Sequence, residues 1–324
     1  MESIAFFDAK PYDRVWFSRL NKNFDIHYFE NRLTQETVSL AQGCSAVIPF
    51  VNDDLNATVI QKLYDYGVKI IAMRCSGFNN IDRKAANGKL KIVRVPGYSP
   101  YAVAEHAIGM LLCLNRKIHK AYFRTRDFNF SLNGLTGFDL YGKTVGVIGT
   151  GKIGQIFIKI CQGFGMNVIA YDPYPISNPD FKYSDLDTLF SNSDIISLHC
   201  PLTEQSHHII NSESIKKMKD NVFLINTSRG LLIESESLLE GLRSGKISAA
   251  ALDVYEEETD FFFEDYSDKV KRDMVLSMLL SMPNVLITSH QAFLTTEALH
   301  NIAEVTLQNL SDFYSGKELI NEVR

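Results

Sequence analysis

The 324 residues suffice for two domains of ordinary size, and 45% hydrophobic with 22% charged side chains is the balance of a soluble globular chain. A net charge of -5 without a long single-sign block argues against nucleic acid or an anionic membrane surface as the main partner. No apolar run approaches the roughly eighteen residues needed to cross a bilayer, so no membrane span is expected.

The N-terminus lacks a basic region followed by an apolar core, so no secretory leader is expected. Cys44, Cys75, Cys113, Cys161 and Cys200 are odd in number, widely spaced and without a C-x-x-C pair. Neither a disulfide framework nor a metal site is expected from them, and a reducing cytoplasm is the natural setting.

In chain order, short apolar strands are predicted at 4–9, 25–30, 45–50, 69–75 and 91–95, with helical spacing between them at 55–66 and 81–87. Such β-α alternation predicts parallel strands covered by helices on both faces. Pro96-Gly97-Tyr98-Ser99-Pro100 then breaks the rhythm, and one long helix is predicted over 103–124. A second β-α series runs from Thr144 to about Thr288, its strands nearly all apolar. An acidic, aromatic stretch at 256–268 interrupts it and leads into an amphipathic segment over 269–282. The chain closes with a helix over 295–314. The fold class expected is α/β, with two Rossmann-like doubly wound parallel-sheet domains. One domain is expected to end near Tyr101 and the next near Phe293.

Gly149-Thr150-Gly151-Lys152-Ile153-Gly154 is a G-x-G-x-x-G run between a predicted strand and a predicted helix. Gly149 permits the tight turn, Gly151 the approach of a pyrophosphate, and Gly154 the close packing of helix on strand. The anion would sit on the N–H groups at the helix start. Asp172 ends the next strand about twenty residues on, where a dinucleotide site places the acid for the adenine ribose hydroxyls. A 2′-phosphate would be repelled there, so NAD is expected rather than NADP.

Oxidoreduction of a keto acid requires a cation for the carboxylate, a proton donor for the carbonyl oxygen, and a group that orients the donor. Arg229 follows a predicted strand and can grip a carboxylate through two parallel hydrogen bonds. His290 follows another, and imidazole is the best acid near neutral pH. His199, also at a strand end, is its serious rival. Glu256, Glu257 and Glu258 follow a third strand, and spacing does not choose among them.

These residues carry a resemblance. The chain resembles the D-isomer-specific 2-hydroxyacid dehydrogenases, most closely their D-lactate dehydrogenase branch, essentially end to end. The matching stretches include the run from Arg74 to Asp82, the glycine turn, and His199-Cys200-Pro201-Leu202-Thr203. They continue through Thr227-Ser228-Arg229-Gly230, the run from Ala251 to Glu256, Phe262-Phe263-Glu264-Asp265, and the run from His290 to Thr295.

The resemblance implies that Arg229 binds the substrate carboxylate, His290 is the acid/base and Glu258 its partner. It implies that the backbone at Ser76 and Gly77, with Tyr101, completes the carboxylate site, and that Phe293 shapes a small side-chain pocket. For NAD it implicates Gly149, Gly151, Lys152, Ile153, Gly154, Asp172, Cys200, Pro201, Thr227 and Asp253. It implies that the C-terminal helix returns to the first domain, giving a substrate domain of 1–101 with 294–324 and an NAD-binding domain of 102–293. A cleft between the two domains and a homodimer, or dimer of dimers, held largely by the cofactor domain also follow from it. Ser206 departs from the pattern, since related enzymes often carry Asn there.

The expected reaction is reversible reduction of a small 2-keto acid by NADH, pyruvate to D-lactate. Because a charged imidazole is required, reduction should fall and oxidation rise as the pH increases. A bulkier keto acid such as phenylpyruvate is the alternative within the enzyme class. An NAD-sensing, corepressor-like binding module is the alternative outside it, although that would call for long extra tails.

Overall fold

The computed structural model describes residues 1–257, 262–263, 265–268 and 273–323. The chain divides into two units, Met1–Ser99 with Leu294–Arg324, and Pro100–Phe293. The division precedes Pro100 and Tyr101, rather than following Tyr101, because these two residues form the first turn of a helix.

The first unit holds a five-stranded sheet of β1 (Glu2–Phe6), β2 (Phe24–Tyr28), β3 (Ala46–Ile48), β4 (Ile70–Ala72) and β5 (Lys91–Val93). Its order is β2-β1-β3-β4-β5, and every pairing is parallel. All residues of β3 and β4 are buried, as expected where helices cover both faces. The helix Ala57–Asp65 starts where Asn56 accepts from the backbone N–H of Thr58 and Val59.

The C-terminal helix Thr296–Tyr314 packs on the helix Pro11–Leu20 and on β4, so the chain's end completes the unit formed by its beginning. Periodicity could not show this. Asn301 and Asn309 donate to the carbonyls of Tyr98 and Arg94, fastening the returning helix from its polar side.

The second unit holds a seven-stranded parallel sheet. Its strands are β6 (Thr144–Ile148), β7 (Asn167–Tyr171), β8 (Lys182–Tyr183), β9 (Ile195–Leu198), β10 (Val222–Asn226), β11 (Ile247–Leu252) and β12 (Val285–Ile287). They lie in the order β12-β11-β10-β9-β6-β7-β8. A separate hydrophobic cluster covers each face, one including Leu224, Leu232 and Leu279, the other including Leu111, Phe157 and Cys161.

One expectation is corrected and one element is new. The long helix is two helices, Pro100–Arg116 and Ile118–Arg126, joined by Lys117 with φ 51°. The break coincides with the close approach of Gly137, where an added Cβ would lie 2.5 Å from the Asn115 carbonyl oxygen. β8 was not expected, because two residues carry no periodicity. Of the amphipathic segment 269–282, the helix Met274–Ser281 is described, started by Asp273 accepting from Leu276 N. Among the described residues, no helix is long and apolar enough to cross a membrane.

Candidate active site

Because every strand of the second sheet is parallel, the segments leaving their C-terminal ends share one edge. Across it run, in order, His290 after β12, Asp253 after β11, Arg229 after β10, His199 after β9, the glycine turn after β6, and Asp172 after β7. Contacts join these segments. His290 N donates to Asp253 O at 2.7 Å, and Ser228 Oγ to Cys200 O at 2.6 Å. A Cβ at Gly230 would lie 1.9 Å from Tyr255 O, so the turn behind Arg229 sits directly on the segment leaving β11. Arg229 and His290 therefore flank that segment from strands two positions apart, about 10 Å at the usual strand spacing.

The glycine turn has the backbone that a dinucleotide requires. Gly149 takes φ 99°, and a Cβ at Gly154 would lie 2.0 Å from Gly149 O, so turn and helix require each other's missing side chains. Gly151 is different. Its φ of -65° admits any residue, and an added Cβ would meet nothing within 4 Å. Nothing in the protein itself demands glycine there, whereas a ligand approaching the backbone would.

Gly151 is also the N-cap of the helix Lys152–Gly163, and no side chain caps that helix. Its first N–H groups are thus open to an anion. Lys152 is exposed and Ile153 half-buried beside them. Farther along the edge, the Thr227 hydroxyl is buried without a hydrogen-bond partner, a cost that a bound polar ligand would relieve. The residues present fit the cofactor.

Asp172 is half-buried, and its Oδ2 accepts from the backbone and hydroxyl of Thr150 at 2.7 and 3.1 Å. Oδ1 accepts from Tyr174 N at 2.9 Å, which leaves this oxygen capacity for a further donor. Cys200 is buried, and burial pushes its thiol up to about 11, so it is a wall rather than a nucleophile. Pro201 is exposed beside it.

Asp253 is fully buried. Its Oδ1 accepts from Thr288 Oγ1 at 2.5 Å and Gln291 N at 2.9 Å, and its Oδ2 from Ala292 N at 2.8 Å. His106 Nε2 stands 3.4 Å from the same carboxylate and 3.2 Å from the Thr288 hydroxyl. Against the cost of burial, these donors hold the carboxyl below its usual range. Asp253 therefore fastens the 288–292 segment, in which His290 adopts φ 53°.

His290 is half-buried, its ring 5.8 Å from that of Phe263. The rival His199 sits beneath the glycine turn, its ring 4.6 Å from that of Phe157 and its Nε2 2.9 Å from Ser197 Oγ. Its Nδ1 is buried without a partner, and desolvation pushes the imidazole down to about 3. An imidazole that stays neutral at physiological pH offers only a weakly acidic N–H, a poor proton source for the reduction.

Two of the three successive acids are engaged elsewhere. Glu256 accepts from His208 Nε2 at 2.7 Å and Ser235 N at 2.9 Å. Glu257 is hydrogen-bonded to Tyr255, and burial raises its carboxyl. Glu258 lies outside the described residues.

Arg229 is half-buried and its Nη1 donates to Ser228 O at 2.6 Å; among the described residues it forms no ion pair. Phe293 is buried and Tyr101 exposed. In the first unit, Ser76 and Gly77 are half-buried. Arg94 steadies their loop by donating to Ser76 O at 2.8 Å, its guanidinium 5.0 Å from the Phe78 ring. No cluster of metal-ligating side chains occurs among the described residues.

The model of the D-isomer specific 2-hydroxyacid dehydrogenase family, NAD binding domain, matches residues 108–292. The chain is also 52% identical over 326 residues to the D-lactate dehydrogenase of Escherichia coli (strain K12), covering 99% of each. The chain belongs to the D-isomer specific 2-hydroxyacid dehydrogenases. It is an oxidoreductase, and its cofactor is NAD.

Solved structures of the family agree in fold. The apo-structure of D-lactate dehydrogenase from Escherichia coli is 49% identical with TM-score 0.91, covering 99% of this chain and 100% of that one. The structure of D-2-hydroxyisocaproate dehydrogenase is 36% identical with TM-score 0.88, covering 99% of each.

Family membership leaves two features of this edge that sequence reasoning missed. The Asp253–Thr288–His106 network and the Thr150–Tyr183 contact join residues 33 to 182 positions apart. No local pattern signals either.

Proposed function

We propose that this chain reduces pyruvate to D-lactate, reversibly, with His290 as proton donor and Arg229 as the carboxylate clamp. The observation that carries the reading is the shared sheet edge, with guanidinium and imidazole on either side of the segment leaving β11. The full-length likeness to a D-lactate dehydrogenase supports pyruvate as substrate.

When bound as NADH, the cofactor supplies the hydride that reduces the carbonyl carbon. Arg229 holds the carboxylate through two parallel hydrogen bonds, aided by Tyr101. His290 delivers a proton to the carbonyl oxygen as charge develops there. Glu258 keeps that imidazole charged and oriented, and Phe293 limits the side chain that fits. Gly149, Gly151, Lys152, Ile153 and Gly154 receive the pyrophosphate, and Asp172 the adenine ribose. Cys200, Pro201 and Thr227 complete the cofactor's wall, and Asp253 acts from behind it by fastening the 288–292 segment.

The test is NADH consumption with a panel of 2-keto acids, with the product's configuration determined. Pyruvate should give the highest kcat/KM and D-lactate the only product. A clear preference for phenylpyruvate or a branched keto acid would favour the alternative, which the likeness to D-2-hydroxyisocaproate dehydrogenase supports.

Phe123, Phe128, Phe130, Leu132 and Tyr141 of the second unit are all more than half exposed, and the 123–141 stretch that carries them is the kind of segment an interface covers. Two copies associating through it would form the homodimer. Phe128→Asp with Phe130→Asp should then sediment as a monomer, and an unchanged dimer would refute this face. All five cysteines are free, which supports a reducing cytoplasm as the protein's location.

A further inference from the structure

The second residue of the glycine turn is Thr150, which is buried. Its hydroxyl lies 3.1 Å from Asp172 Oδ2 and 2.7 Å from Tyr183 Oη, and Tyr183 Oη lies 3.1 Å from Ile176 N. The direction of each bond in this chain is forced. A backbone N–H only donates, so Tyr183 accepts from Ile176. An ionised carboxylate only accepts, so Thr150 spends its single proton on Asp172. Tyr183 must therefore donate to Thr150. The chain of donors ends on the carboxylate.

Tyr183 is held by the sheet, since it pairs with Ala170 of β7, two residues before Asp172. Its ring also packs edge-on against Phe181, the centroids 5.2 Å apart.

We propose that Tyr183, acting through Thr150 and Ile176, is a positioning residue that sets the choice of NAD over NADP. The inference rests on the reading of Asp172 as the ribose acid. A 2′-phosphate could enter only if the carboxylate swung aside or the 173–176 turn withdrew. The first motion breaks the bonds from Thr150 N and Oγ1 and leaves a buried hydroxyl without its acceptor. The second breaks the bond from Ile176 to Tyr183. A carboxylate on an unbraced turn would rotate out of the way at little cost. Tyr183 opposes both motions from one fixed point.

The test uses the full-length protein and equilibrium binding. Kd values for NADH and NADPH are measured by nicotinamide fluorescence for the parent, Tyr183→Phe, Thr150→Val, Thr150→Ser and Asp172→Ser. The ratio of Kd for NADPH to Kd for NADH should fall about tenfold in Thr150→Val, the worth of one hydrogen bond to a charged group, and about fivefold in Tyr183→Phe, the worth of a neutral one. Thr150→Ser, which keeps the hydroxyl, should retain the parental ratio. General loosening of the fold would weaken both cofactors alike and leave the ratio unmoved. If Tyr183→Phe and Thr150→Val keep the parental ratio while Asp172→Ser lowers it, the positioning role is refuted and the ribose acid stands. If Asp172→Ser also leaves the ratio unchanged, the ribose assignment fails and this inference falls with it.

Discussion

Replacing Gly151 by alanine separates what the fold needs from what the cofactor needs. The backbone at Gly151, φ -65° and ψ -170°, suits any residue, and the new methyl would meet nothing within 4 Å. Alanine is a distinctly poorer N-cap than glycine, by about 1 kcal/mol, but it restricts the unfolded chain by a similar amount, so the two effects offset to within about 1 kcal/mol. The methyl would, however, stand where a pyrophosphate must approach the helix's first N–H groups. Losing one or two charge-assisted bonds costs about 3 kcal/mol, or roughly a hundredfold in Kd.

Gly154→Ala is the contrasting variant, since its methyl would lie 2.0 Å from Gly149 O, where real contacts stay beyond 3.0 Å. Turn and helix would have to part by about 1 Å, so stability and binding should suffer together. Thermal unfolding without cofactor and NADH titration by fluorescence read the two effects separately. The reasoning is refuted if Gly151→Ala binds NADH as tightly as the parent, or unfolds as readily as Gly154→Ala.

His290→Ala should lower kcat by on the order of a hundredfold or more, the usual worth of a positioned acid; near-normal turnover in steady-state assays would remove it from the mechanism. Arg229→Lys should chiefly raise KM for pyruvate, because a lysine cannot form the paired bonds, and an unaltered kcat/KM would end the clamp assignment. Burial pushes the His199 imidazole down to about 3 in the fold, from its ordinary 6.5. Between those values the unfolded chain binds a proton that the folded one does not, so stability declines as pH falls from 6.5 toward 3, by up to about 1.4 kcal/mol per unit. NMR of the imidazole should show no titration between neutrality and pH 5, and a midpoint near 6.5 would contradict its desolvation.

Much of the fold was legible because the signals are local. Apolar strands alternating with helices predict a covered parallel sheet, and a glycine turn between strand and helix marks the anion site whatever the distant residues are. The choice between His199 and His290 was not legible. Both end strands, and what separates them is that one ring packs on Phe157 under the turn while the other sits on the segment held by Asp253. Nor could spacing sort the three acids. Glu256 is claimed by His208, 48 residues away, and by Ser235, while Glu257 is bound to Tyr255.

By itself, the sequence determined the fold class, the glycine turn between strand and helix, and the kinds of side chain available for chemistry, since each rests on interactions within about twenty residues. Only the tertiary structure decided which of those side chains share an edge. A parallel sheet brings together the ends of strands far apart in the chain, so β12 supplies His290 and β10 Arg229 to neighbouring loops. Only there, too, does a two-residue strand place Tyr183 against Thr150, because a hydrogen bond across 33 residues leaves no trace in the local pattern.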